Sequence, residues 1–205
     1  MGDSQQDLAR EEYRELRATI RQRGSLRPVL FVATLGAWGA LVVATNAAFP
    51  LPIATLVPLL VLAAGFETVA ALHIGVERVG RYVQVRFEGD VSDSAALPAA
   101  GPAWERTAMA WGARFPGTGT DPLFSVIFLI ATAINAVPLA LTAALVELTV
   151  LGMAHLAFAW RVWRVRVWAT RQRKEDLATF RELASVTRDR ESEQQRAGGP
   201  LPRVG

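Results

Sequence analysis

The chain contains no cysteine and only one lysine among its 205 residues. Without cysteine it cannot form a disulfide, bind zinc or an iron–sulfur cluster through thiolates, or use a thiol as a nucleophile. Of its 22 basic residues, 21 are therefore arginine, a bias typical of a bacterium with a GC-rich genome. The sequence predicts no cofactor.

Two long tracts carry almost no ionisable side chains. Residues 28–66 carry no ionisable side chain, and residues 122–160 carry only Glu147 and His155. A helix of about 20 apolar residues crosses the hydrocarbon core of a membrane, and each tract is roughly twice that length. Each tract therefore predicts a hairpin of two transmembrane helices.

Prolines divide both tracts, because proline removes a backbone donor and restricts the residue before it. Pro50 and Pro52 interrupt the first tract, and Pro138 interrupts the second. The sequence predicts an all-α integral membrane protein with four transmembrane helices in two hairpins. These helices are predicted at residues 28–48, 52–72, 122–137 and 139–160.

The basic residues predict the orientation of these helices. All of them lie in residues 10–27, 78–114 and 161–203, and neither turn within a hairpin contains one. Lysine and arginine accumulate in cytoplasmic loops, so both termini are expected in the cytoplasm. The first 27 residues lack a signal cleavage site, so the first span is expected to remain as an anchor. The expected location is the inner membrane of a bacterium, as a multi-pass protein.

The N-terminal residues 1–27 are predicted to form an amphipathic cytoplasmic helix that ends near Gly24. Apolar side chains recur at helical spacing along one face: Ala9, Tyr13, Leu16 and Ile20. Two interpretations of this helix are open. It packs on neighbouring helices, or it lies on anionic lipid, to which each nearby arginine contributes about 1 kcal/mol.

The central cytoplasmic segment is rich in glycine, proline and small residues, which predicts a loop over residues 89–121. Within it, residues 103–115 are predicted to form an interfacial helix, since Trp104 and Trp111 lie on one face beside arginine. Alternatively, these two tryptophans cover the cytoplasmic end of the bundle.

The second and fourth spans are each predicted to continue as cytoplasmic helices, to about residue 88 and over residues 161–195. Residues 81–88 and 161–168 also alternate apolar and polar side chains, a strand pattern, so both structures are considered and helix is favoured. A disordered tail is predicted at residues 196–205. Three tryptophans fit an aromatic belt at the membrane surface: Trp160, Trp163 and Trp168.

Four polar side chains fall within the spans, where such groups are costly and usually face the protein interior. They are Glu67, Asn135, Glu147 and His155. Counting the rise of 1.5 Å per residue places Glu67 level with His155, and Asn135 level with Glu147. Two structural pairs are therefore predicted, Glu67–His155 and Asn135–Glu147. The alternative is a proton or cation path through the two carboxyl groups.

A second polar cluster marks the inner interface, where the second span leaves the membrane. It comprises His73, Glu77, Arg78 and Arg81. Glu77 and Arg81 have the spacing of a favourable surface ion pair on a helix. His73 and Glu77 could share a metal ion, but no third ligand has suitable spacing, and no metal site is predicted.

Small residues line one face of the first span, at a spacing that lets helices approach closely. They are Ala33, Gly36, Ala37, Ala40 and Ala44. This face is expected to contact either the second span or another subunit.

No catalytic pattern is present: Ser125 is the only serine in the four spans, and no nucleophile motif surrounds it. The chain is therefore expected to be a non-catalytic anchor, scaffold or regulatory component that acts through its arginine-rich cytoplasmic helices. Its expected partners are the bilayer, with anionic lipids at the cytoplasmic face, a second copy and a cytoplasmic protein, but no nucleic acid. The alternative is an oligomeric ion or proton channel that uses Glu67 and Glu147.

Overall fold

The computed structural model describes residues 2–49, 51–87, 114, 121 and 123–197. Every secondary-structure element in this part of the chain is a helix. The all-α prediction is confirmed here. The predicted loop and interfacial helix, with Trp104 and Trp111, lie outside the described residues apart from positions 114 and 121, and so do residues 198–205.

Five α-helices and one short 3₁₀-helix make up the described chain. The 3₁₀-helix, Pro52–Thr55, leads directly into α2. The α-helices are α1 (Gly2–Ala48), α2 (Leu56–Phe87), α3 (Ser125–Asn135), α4 (Val137–Thr142) and α5 (Leu145–Ala197).

Four stretches within the described residues are long and apolar enough to cross a membrane, as the sequence predicts. They are Gln6–Ala48, Pro52–Phe87, Ser125–Thr142 and Leu145–Ala169. Helix α2 runs antiparallel to α1, because His73 and Tyr82 of α2 bond to Arg27 and Glu12 of α1 in the reverse order. It runs parallel to α5, because Glu67 and Arg81 bond to Arg161 and Asp176 of α5 in the same order. The two hairpin turns therefore lie at one end, called the turn end, and the charged helix extensions at the other, called the charged end.

Helix α1 passes through both Gly24 and Pro28 without a break, so the predicted end near Gly24 is wrong. Its 47 residues give a length of about 70 Å. Contacts on both sides of the proline hold the helix together: Arg27 bonds to His73, and Phe31 stacks on Phe124. Tertiary packing here overrides the local helix-breaking signals.

The second hairpin also turns later than the sequence suggests. Pro138 lies in the first turn of α4, where its missing N–H is not needed, and the chain reverses at residues 143–144. The predicted boundary between residues 137 and 139 is therefore displaced by about six residues. Ala136 links α3 to α4 with a helical backbone, so these two helices form one span.

Residues 81–87 and 161–168 are helical throughout, which decides between the two interpretations of their alternating pattern. Neither segment has a breaker between it and the preceding span, so the helix simply continues. Helix α5 therefore reaches Ala197 over 53 residues, about 80 Å.

Aromatic side chains form the centre of the bundle. Phe66 of α2 and Phe128 of α3 have no exposed surface, and their rings meet edge to face with centroids 5.2 Å apart. Phe158 of α5 meets Phe66 in the same way, and Phe31 of α1 meets Phe128. Each such pair contributes about 0.5–1.5 kcal/mol. The four spans thus share one closed core.

Candidate functional site

Polar residues at the turn end form a buried hydrogen-bonded group. Asn135 donates from Nδ2 to the carbonyl of Thr55 at 2.8 Å, and the same nitrogen lies 3.0 Å from Nε2 of His155. Nδ1 of His155 lies 2.8 Å from the carbonyl of Leu151. Since a carbonyl only accepts and an amide nitrogen only donates, His155 donates from Nδ1 to Leu151 and accepts at Nε2 from Asn135.

This group connects three elements of the bundle. It joins the 3₁₀-helix, the last residue of α3 and the third turn of α5, and both Asn135 and His155 are buried. A cavity of about 10 Å³ beside Asn135 and Thr55 has room for a water molecule and nothing larger.

The two predicted polar pairs, Glu67–His155 and Asn135–Glu147, are both wrong. Counted from Leu145, where α5 begins, His155 lies about 15 Å along the helix, whereas Glu67 lies about 22 Å from Pro52. The late turn accounts for the error. Glu147 instead sits exposed in the first turn of α5, where its carboxylate accepts the N–H of Ala144 at 3.3 Å.

Glu67 pairs with Arg161, a partner that its predicted depth did not indicate. Arg161 donates from Nε and Nη2 to the two carboxylate oxygens, at 2.7 and 2.9 Å. The pair bridges α2 and α5 on the outside of the bundle, with about half of each side chain exposed. Arg161 lies 16 residues after Leu145, so a count from the observed turn would have found it.

At the charged end, the inner-interface cluster divides between two contacts. His73 is buried, and its Nδ1 accepts from Nη1 of Arg27 at 3.0 Å. This bond connects α2 to α1. Within the part of the chain that the structure describes, no group of three histidine, aspartate or glutamate side chains could hold a metal ion.

Arg81 forms the second contact and is also buried, with 5% of its surface exposed. It donates to Asp176 of α5 at 2.5 Å and to Glu77 at 3.1 Å. The Glu77–Arg81 bond has the expected spacing, but its arginine is not on the surface. Arg78 lies 4.0 Å from Asp176 at the edge of this group. Asp176 was missed because it lies 95 residues away in sequence.

Aromatic contacts extend the bundle beyond the apolar tracts. Tyr82 of α2 donates to Glu12 of α1 at 2.9 Å, and its ring meets Phe180 of α5 edge to face at 5.8 Å. Tyr13 and Phe87 form a similar pair at 5.3 Å. Residues 2–27, 73–87 and 170–197 are called the stalk. Because Tyr13 packs on α2, the packed interpretation of the N-terminal helix is the one the structure supports.

The tryptophans after the fourth span are exposed. Trp160, Trp163 and Trp168 show 64%, 52% and 45% of their surface, around the junction of bundle and stalk. Their membership of an interfacial belt stays a prediction.

The small-residue face of α1 is exposed along its length, at Ala33, Gly36, Ala37, Ala40 and Ala44. It does not form the contact with α2, which instead uses Gly65 against Thr34. Gly65 was missed because a single glycine carries no periodic signal.

These features define a bundle of four helical stretches, each long and apolar enough to cross a membrane, that continues into a helical stalk. No family model matches the chain, and neither a curated protein nor a solved structure matches it.

Proposed function

We propose that the chain is a multi-pass protein of the bacterial inner membrane whose four spans anchor a cytoplasmic helical stalk. The observation that supports this function is the continuity of α1, α2 and α5 from the apolar bundle into the stalk. The buried Arg81–Asp176 bond and the Tyr82 contacts hold the stalk helices together. Such a stalk can present a fixed surface to a cytoplasmic protein, and no catalytic role is proposed.

The distribution of charge supports an orientation with both termini in the cytoplasm. The stalk contains most of the described arginines, and neither turn contains one. Arg164 and Arg166 lie at the junction of bundle and stalk, beside the exposed tryptophans. Anionic lipid headgroups at the cytoplasmic face are the proposed partners of these arginines.

The labelling pattern of single cysteines tests the orientation, and the absence of native cysteine makes each introduced thiol unique. Ala144→Cys in the second turn should react with a membrane-impermeant maleimide on intact cells. Ser185→Cys, which is exposed in the stalk, should react only after the membrane is permeabilised. The reverse pattern would contradict the proposed orientation.

The far part of α5 is the proposed site for a cytoplasmic protein. Leu183 and Val186 are 57% and 44% exposed and lie three residues apart, so they share one face of the helix. Exposed apolar residues at this spacing are typical of helices that bind a partner.

Substituting both apolar residues should abolish recovery of a specific protein with the affinity-purified chain. The variant is Leu183→Glu with Val186→Glu, since two carboxylates oppose the apolar contact. Ser185→Glu with Ser192→Glu is the matched control, because it adds the same charge to the opposite face. Equal recovery with both variants, measured by quantitative mass spectrometry, would exclude this face as the docking site.

The alternative, an oligomeric channel that uses Glu67 and Glu147, has less support. Both carboxylates lie on the outside of the bundle, and the interior is filled by Leu62, Phe66 and Phe128. A path would have to form between copies. Ion flux into liposomes that Glu67→Gln abolishes would favour this alternative.

A further inference from the structure

The ion pair between Glu67 and Arg161 lies on the outer surface of the bundle. The side chains of Glu67 and Arg161 are 47% and 52% exposed, and two hydrogen bonds join them. The surrounding exposed residues at helical spacing are mostly small. Together these residues are called the ion-pair face: Leu60, Ala64, Glu67 and Ala71 of α2, and Ala157 and Arg161 of α5.

In the proposed membrane, the ion-pair face lies at the depth of the hydrocarbon core. Arg27 is the charged residue that precedes the apolar tract of α1, and its bond to His73 shows which part of α2 is level with it. Glu67 lies six residues from His73, about 9 Å nearer the turn end. Arg161 lies about 24 Å from the start of α5, within a core about 30 Å thick.

Lipid is a poor environment for this face. Charged groups at this depth are costly when they face hydrocarbon, and they usually face protein or water. Small residues are typical of contacts between membrane helices, because they let the backbones approach closely. The ion pair and the small residues therefore independently indicate that another protein surface covers this face.

We infer that the ion-pair face is the interface between two copies of this chain. It presents one anion and one cation side by side, on two parallel helices. A two-fold axis along the membrane normal brings the same face of two copies together and places Glu67 of each opposite Arg161 of the other. The face is thus complementary to itself in charge, and the inference rests on the proposed insertion into a membrane.

Disulfide formation between single-cysteine chains tests the position of the interface in native membranes. Under this two-fold axis, Ala64 of one copy faces Ala157 of the other, one turn from Glu67 and Arg161. Co-expressed Ala64→Cys and Ala157→Cys chains should therefore give a covalent mixed dimer on mild oxidation. Ala37→Cys, an exposed alanine at a similar depth on α1, is the matched control and should stay monomeric. A dimer through Ala37→Cys alone would place the interface on the small-residue face of α1, and no dimer with either would leave lipid as the covering. Both results would overturn the inference.

Charge reversal separates a contact between copies from one within a chain. A chain with E67R carries two cations at the face, and a chain with R161E carries two anions. Co-expressed with distinguishable tags, the two variants should co-purify with each other at least about tenfold more than each does with itself, as expected for two polar contacts per interface. Equal co-purification would overturn the inference, because repulsion within each chain gives no preference for mixing.

The location of the chain distinguishes failure of the dimer from failure of the proposed membrane insertion. Flotation of membranes on a density gradient, before oxidation, shows whether the Ala64→Cys and Ala157→Cys chains are inserted. A chain that floats with the membranes and stays monomeric contradicts the dimer alone. A chain that does not float contradicts the proposed membrane anchor as well.

Discussion

Gly65→Ala is expected to destabilise the protein by about 1–3 kcal/mol, even though alanine is the better helix former. Helices α1 and α2 approach closely at this position. A Cβ on Gly65 would lie 2.7 Å from the Cβ of Thr34 and closer still to both branches of that side chain. Threonine is stiff at χ1, and the Thr34 hydroxyl donates to the carbonyl of Leu30 at 2.7 Å. The added methyl therefore forces the two helices apart.

Gly39 of α1 provides the matched control. A Cβ on Gly39 meets nothing within 4 Å, so Gly39→Ala should be neutral or stabilising by up to about 1 kcal/mol. Combining Gly65→Ala with Thr34→Gly should recover part of the lost stability, since the side chain that the new methyl would meet is then absent. Thermal unfolding of the purified proteins in one detergent measures the stability of all three variants. If Gly65→Ala melts no lower than Gly39→Ala, the close approach of α1 and α2 is wrong.

The number of long apolar helices can be predicted from composition, whereas the residues at which they end cannot. Hydrocarbon requires about 20 apolar residues per span, and this requirement predicts four helices from the two apolar tracts. Gly24, Pro28 and Pro138 are local signals, and packing can override them. Arg27 and Phe31 hold α1 together across its proline.

The error in one turn explains the errors in the polar pairs. Depth along a span is counted from its end, so a turn placed about six residues early shifts every later residue by about 9 Å. This shift put His155 level with Glu67. With the turn at residues 143–144, the same count places Arg161 level with Glu67, as the structure does.

Contacts between residues that are far apart in the chain could not be predicted from the sequence, for a different reason. Asp176 meets Arg81 across 95 residues, and Asn135 meets the Thr55 carbonyl across 80. Such pairs depend on which helices are neighbours and on how each is rotated about its axis. Periodicity gives the apolar face of a helix but does not identify the helix that it packs against.

Asp176→Ala is expected to release the stalk part of α5 from α2. Arg81 is 5% exposed, and Asp176 is its partner on α5. Breaking a buried ion pair costs about 3–5 kcal/mol because one charge stays buried without its partner, and the loss here should be near 3 kcal/mol because Glu77 still contacts Arg81. Arg171 and Arg181 flank the released segment, so trypsin should cut there up to about a hundredfold faster.

Two further variants show whether the buried charge causes this release. Asp7→Ala removes the exposed Asp7–Arg10 pair, whose side chains are 73% and 70% exposed, and should leave the cleavage rate unchanged. Arg81→Met in the Asp176→Ala background removes the buried cation as well, and should restore much of the protection because an apolar side chain replaces an unpaired charge. Rapid cleavage in this double variant would mean that the Arg81–Asp176 bond itself holds α5, and that the unpaired charge is not the cause of the release. Slow cleavage in Asp176→Ala alone would mean that the Tyr82–Phe180 contact is sufficient.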